Sequence, residues 1–175
     1  MNGQGEARPE GFQRVTQALA QAGHAHAPRW LATAARTSQE AADALGVQVG
    51  QIAKSVIFKR KSDAVAVLVI TSGDRRVDEN KVAAQTGAIV RADADFVKAS
   101  TGFTIGGVAP LAHAGATVTL IDRELFRFDE IWAAAGHPNG VFCMRPADLV
   151  ALTGAPVCDV TPSSPSAPSS SPSSS

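Results

Sequence analysis

Ile52-Ala53-Lys54-Ser55-Val56-Ile57-Phe58-Lys59 and Ala64-Val65-Ala66-Val67-Leu68-Val69-Ile70-Thr71 decide the fold. Both segments are rich in β-branched residues and a polar turn containing Ser62-Asp63 joins them, which predicts a hairpin near the centre of a sheet. Lys54 is the oddity within it. The lysine shares the alternate positions of its strand with Ile52, Val56 and Phe58, where an apolar residue is expected.

Working outward, Gly11 to Ala22 sets Phe12, Val15, Leu19 and Ala22 on one helical face before a stop at Gly23. Thr37-Ser38-Gln39-Glu40 has the spacing of a capping box, ahead of a short helix closed by Gly46. On the other side, Asp78 is placed to cap a helix ending at Gly87, Ile89 to Arg91 reads as a short strand, and Asp93 opens a helix that Gly102 closes. Thr117 to Ile121 is a further strand, followed by a turn or short helix over Asp122 to Phe126. Ile131 to Ala135 and Val141 to Met144 flank Gly136-His137-Pro138-Asn139-Gly140, which predicts a second hairpin with His137 at its tip. Pro146 suits the first turn of a last helix that Gly154 ends. Hairpins mixed with interspersed helices favour an α+β domain over a regular βαβ repeat.

The chain has 175 residues, enough for one well-packed core. Residues 1–10 are polar, carry no apolar run of signal-peptide length and are expected to be flexible. Residues 161–175, TPSSPSAPSSSPSSS, hold no apolar side chain larger than alanine and are expected to be disordered, leaving 11–160 as the domain. The strongly apolar run Ala64 to Ile70 is far shorter than the roughly 20 residues that span a bilayer, so no membrane partner is expected. Cys143 and Cys158 lack the spacing of a metal or redox pair, and a reduced cytoplasm fits them best. Sixteen Lys and Arg balance sixteen Asp and Glu. An RNA partner would therefore need a local patch, for which Lys59-Arg60-Lys61 is one candidate and a solvated turn the plainer reading.

Several chemistries lack their motifs. There is no His-Glu-x-x-His or paired Cys-x-x-Cys, and metal ligands are not expected. His24 and His26 would face opposite ways on a strand and read as surface or packing residues. No Gly-x-Ser-x-Gly elbow, P-loop or dinucleotide fingerprint occurs, and Cys143 reads as a small core residue. What stands out is Thr101-Gly102-Phe103-Thr104-Ile105-Gly106-Gly107-Val108-Ala109-Pro110. Its adjacent glycines bring backbone N–H groups close to a ligand, and Gly106 to Ala109 would suit a carbonyl oxygen turning negative during attack by a positioned water. A merely tight connection is the alternative. Lys54 either binds a phosphate or ribose oxygen, or packs its stem while its amine reaches solvent.

Together, Gln51 to Phe58, Arg76 to Lys81, Thr101 to Pro110, Ala133 to Asn139 and Pro146 to Gly154 resemble the YbaK/EbsC family of aminoacyl-tRNA editing proteins, over about residues 11–160. The family includes the insertion domain of bacterial prolyl-tRNA synthetases and its free-standing relatives. The resemblance implies a mixed, strongly curved β-sheet packed with helices. It also implies hydrolysis, without cofactor or metal, of the ester joining a wrong amino acid to tRNA, with help from the terminal ribose hydroxyl. Lys54 matches the lysine central to activity, and Gly106, Gly107 and Pro110 match the loop that positions the aminoacyl group. Ser55, Thr101, Phe103, Val108, Ala109 and His137 are the associated substrate-binding positions. The implied partners are mischarged tRNA, above all proline tRNA carrying a small wrong residue, and a prolyl-tRNA synthetase. The free-standing form is expected, since no synthetase catalytic domain is present. The rival reading is a non-catalytic module that binds a nucleotide or tRNA end and regulates a synthetase.

Overall fold

A computed structural model describes residues 8–162. The expected hairpin is its centre. Strands β2 (Ile52–Arg60) and β3 (Ala66–Ser72) pair antiparallel from Ala53↔Ser72 to Lys59↔Ala66. The turn between them is wider than the sequence implies, because Ala64 takes a positive φ of 61° and leaves the ladder. Asp63 fixes that turn by pairing with Arg60 and accepting from the Val65 N–H.

Six further strands complete a mixed sheet: β1 (Arg29–Trp30), β4 (Ile89–Arg91), β5 (Thr117–Asp122), β6 (Ile131–Ala134), β7 (Gly140–Met144) and β8 (Val157–Cys158). The order is β1-β7-β6-β2-β3-β5-β8, with β4 also on β2. Strands β6 and β7 form the second expected hairpin. The pairings β2–β6, β3–β5 and β5–β8 are parallel and the others antiparallel.

Five helices pack on this sheet: α1 (Glu10–Gln21), α2 (Ser38–Leu45), α3 (Glu79–Thr86), α4 (Ala94–Thr101) and α5 (Pro146–Thr153). Their ends follow the local chemistry. Asp78 accepts from the Asn80 and Lys81 N–H groups, and Asp93 from that of Phe96, satisfying donors that a helix start leaves open. Gly46, Gly102 and Gly154 close α2, α4 and α5 in the left-handed region. The capping box at α2 is offset by one residue: Thr37 accepts from Glu40 N–H, whereas the Glu40 carboxylate takes the N–H of Arg36.

Strand alternation divides the interior. One sheet face joins Ala53, Leu68, Ile70, Ile121, Phe142 and Met144 to Phe12, Val15 and Leu19 of α1. The other carries Phe58, Val67, Val69 and Leu120 against Val82 of α3 and Val160. A third cluster sets Ile52 against Ala41 and Ala42. Lys54 falls on the strand face between Ile52 and Phe58, hence between two apolar clusters.

The segment around His24 and His26 is a turn rather than a strand, so the two rings meet edge to face, 5.8 Å apart, instead of facing opposite ways. Cys143 is buried, and burial first, then Glu130, pushes its thiol up to about 11. At the C-terminal end the packed chain continues past the expected boundary, since Thr161 is 4 % exposed and its carbonyl accepts from Lys81 Nζ. The rest of the expected tail, and residues 1–7 of the expected flexible start, lie outside the described residues. Among the described residues no helix is long and apolar enough to cross a membrane.

Candidate active site

The outer edge of β2 is shared by two strands that do not meet. Strand β6 pairs with Ile52 and Ala53, while β4 pairs with Phe58 to Arg60, which leaves 54–57 open on that edge. Arg60 N–H donates to Val65 on the β3 side and Lys61 N–H to Ala88 on the β4 side. Even-numbered main-chain groups therefore face β3, and those of Ser55 and Ile57 face the opening.

A cavity of about 620 Å³ lies at the β6 end of this opening. Ile52 to Ser55 and Trp132 to Ala134 form one wall, the approach to α2 from Ala35 to Gln39 another, and Ile105, Gly106, Val108 and Pro138 a third. The Lys54 side chain enters from the strand. Burial lowers its pKa from 10.5, while Asp74 and Asp122 act in the opposite direction. Those carboxylates belong to an anchored network behind the lysine. Thr71, the cross-strand neighbour of Lys54, donates to Asp122 Oδ2 (2.9 Å), which also accepts from Ser72 N–H (3.0 Å). Arg127 holds Asp74 (2.8 Å), and that hydrogen bond is the main reason the Asp74 carboxyl sits below its usual value. Beside Lys54, Ser55 Oγ is buried with no hydrogen-bond partner among the described residues. A buried hydroxyl left unpaired costs about 1–3 kcal/mol, the kind of strain found where a ligand completes the bonding.

The glycine-proline segment divides in two. Ile105, Gly106 and Val108 line the cavity, and Gly106 has φ 92°. Gly107 is needed for closeness: a Cβ there would lie 2.7 Å from the His137 Cα. Its N–H is already used, donating to Thr104 O at 3.0 Å, so it is not free to serve as an oxyanion donor. The remaining expected residues sit behind the wall. Thr101 is fully buried, its Oγ1 donating to Val97 O and accepting from Phe103 N–H, and Phe103 packs in the core beneath Arg14. Ala109 is fully buried, and Pro110 borders a separate hollow beside Leu152 to Pro156. These four are placed as supports, away from the cavity surface.

His137 also stands outside the cavity lining. Its ring stacks on Trp30 at 4.9 Å, and Nδ1 accepts from Asn139 N–H at 3.0 Å. Burial first, then Arg36, lowers its pKa. Its neighbour Pro138 reaches the cavity instead. The basic run Lys59-Arg60-Lys61 does not act as one patch, because Arg60 is paired with Asp63 and Lys59 lies over Phe96. Among the described residues no group of three or more His, Cys, Asp and Glu could hold a metal ion.

This sheet and cavity define an aminoacyl-tRNA editing domain: residues 32–152 match the family model of that description, and the chain belongs to the family. Its relatives connect it to prolyl-tRNA synthetase editing. The proline–tRNA ligase of Thermoanaerobacter sp. (strain X514) is 32% identical over 94 residues, 51% of this chain and 16% of the ligase. The uncharacterized protein YwhH of Bacillus subtilis (strain 168) is 32% identical over 118 residues, 67% of this chain and 74% of that protein. Among solved structures, one provisionally described as a trans-editing enzyme for prolyl-tRNA synthetase is 36% identical, with a TM-score of 0.82 over 89% of this chain and 99% of that one.

Proposed function

We propose that the protein is a trans-editing deacylase that hydrolyses the ester of mischarged tRNA, with proline tRNA carrying a small wrong amino acid as its substrate. The observation that carries this reading is that one cavity is lined by two successive residues of β2, the half-buried Lys54 and Ser55, whose buried hydroxyl has no hydrogen-bond partner among the described residues. Water adds to the ester carbonyl carbon, the carbon–oxygen bond to the ribose breaks, and the departing ribose oxygen takes a proton. Free amino acid and uncharged tRNA result. The Lys54 ammonium stabilises the carbonyl oxygen as it turns negative or holds the terminal ribose, and one such preorganised donor is worth about 3–4 kcal/mol of barrier.

Ile52, Val108 and Ala133 give the cavity an apolar wall that suits a small side chain. Such a wall separates side chains differing by one methylene only about 10- to 200-fold, so exclusion of the correct amino acid rests on cavity size. The test is release of amino acid from purified mischarged proline tRNA by the Lys54→Ala variant. Loss of release with the fold retained supports the reading, and undiminished release sinks the role given to Lys54. Binding of tRNA by the wild type with no turnover on any charged form favours the non-catalytic module instead.

A further inference from the structure

A second concavity, of about 730 Å³, opens at the other end of the interrupted β2 edge, and Lys54 lines both. Its floor is Val56, Ile57 and Phe58 of β2, and its rim carries Arg76 from the loop before α3 and Arg91 at the end of β4. Both arginines are exposed, and neither makes an ion pair with a described residue. Two carboxylates share the rim, but Asp78 is turned inward to cap α3, which leaves Glu79 as the free acid there. Two of the cationic groups, Lys54 and Arg91, are spaced along the strand. Arg91 pairs with Phe58, four residues from Lys54, a rise of about 13 Å.

We infer that this groove holds the single-stranded 3′ end of the RNA, with Arg76 and Arg91 on the phosphodiesters just before the terminal nucleotide and Lys54 at the junction where that nucleotide enters the cavity. The inference rests on the editing-site reading and adds the route by which the polynucleotide reaches it. Guanidinium groups suit phosphate because their planar donors bind two oxygens at once. A chain of zero formal net charge needs such a local track to hold RNA at all. The loop cations Lys59 and Arg60, already engaged, are not part of it.

The test is anisotropy of a labelled RNA hairpin ending in single-stranded CCA, titrated with the full chain at several salt concentrations. The Arg76→Ala/Arg91→Ala double variant is expected to bind about tenfold more weakly at low salt. Its log–log salt slope should be shallower by about 1.4, the loss of two single-strand phosphate contacts. Arg76→Lys/Arg91→Lys should restore the slope, and Arg145→Ala, loss of an exposed charge outside the groove lining, should leave binding unchanged. Hydrolysis of alanyl-adenosine, which has no phosphodiester, should be equal in the wild type and the double variant. Unchanged affinity and slope in the double variant would overturn the groove, as would equal losses on RNA and on alanyl-adenosine. If the double variant loses RNA binding while the wild type hydrolyses nothing, the groove stands and the deacylase reading falls.

Discussion

The strand wall and the loop wall of the cavity use their residues in opposite ways. On β2, Lys54 and Ser55 both line the cavity, and the buried Ser55 hydroxyl has no hydrogen-bond partner among the described residues. In the loop, Gly107 N–H, Thr101 Oγ1 and the Ala109 carbonyl are all engaged within the protein. On the proposed function, the central strand offers the chemistry, while the loop offers shape and is held by its own hydrogen bonds. Within the segment that reads as an anion cradle, Gly107 is a brace, while Ile105, Gly106 and Val108 line the cavity.

The contrast can be broken at each wall, and the largest effect is expected on the strand. Lys54→Met should lower deacylation about 100- to 1,000-fold, the scale of losing one preorganised charge, while leaving stability equal or slightly higher through relief of a half-buried ammonium. The stability difference should also depend on pH. Burial lowers the folded-state pKa of Lys54 below 10.5, so in the window between the two values the unfolded chain holds the extra proton. Wild-type stability therefore gains on the methionine variant as pH rises toward 10.5, which denaturant titrations at several pH values measure. A variant that loses activity and unfolds would assign Lys54 to the scaffold.

Gly107→Ala probes the brace. A methyl group there meets the His137 backbone, which cannot move aside cheaply, and the cost should be about 1–3 kcal/mol in urea unfolding, with activity falling because Gly106 and Val108 shift. Ser55→Ala should reduce turnover about tenfold yet leave stability unchanged or slightly higher, since no bond within the protein is lost. A large stability loss would show instead that the hydroxyl is structural. The smallest effect is expected at His137. Replacing it with alanine removes the stack on Trp30 and should cost about 1 kcal/mol of stability, with turnover changing less than threefold.

The same division explains what was legible in the sequence. The central hairpin, the caps at Thr37, Asp78 and Asp93 and the closing glycines are local, and each is written within a few residues. Strands β1 and β8 are two residues long and exist only through their partners, so they leave no periodic trace. Lys54 was legible because it breaks an apolar alternation, and Ser55 through the family resemblance. Trp132, Pro138 and the Ala35 to Gln39 wall carry no signal of their own, since the sheet order brings them to Lys54 from distant parts of the chain. Arg91 was equally silent, and Arg76 entered only as the first residue of a segment that carries the family resemblance. Thr101 and Phe103 enter the expected site through the family resemblance, but the left-handed turn at Gly102 and the buried Thr101 hydroxyl direct them into the core.

The most direct measurement is deacylation by the wild-type chain of proline tRNA charged separately with alanine, cysteine, serine, threonine, 2-aminobutyrate and, as the control, proline. Release of one or more of the small residues with prolyl-tRNA left intact is the predicted result. No release from any charged form, under conditions where the same tRNA binds, would contradict the claim that the cavity at Lys54 is a hydrolytic site.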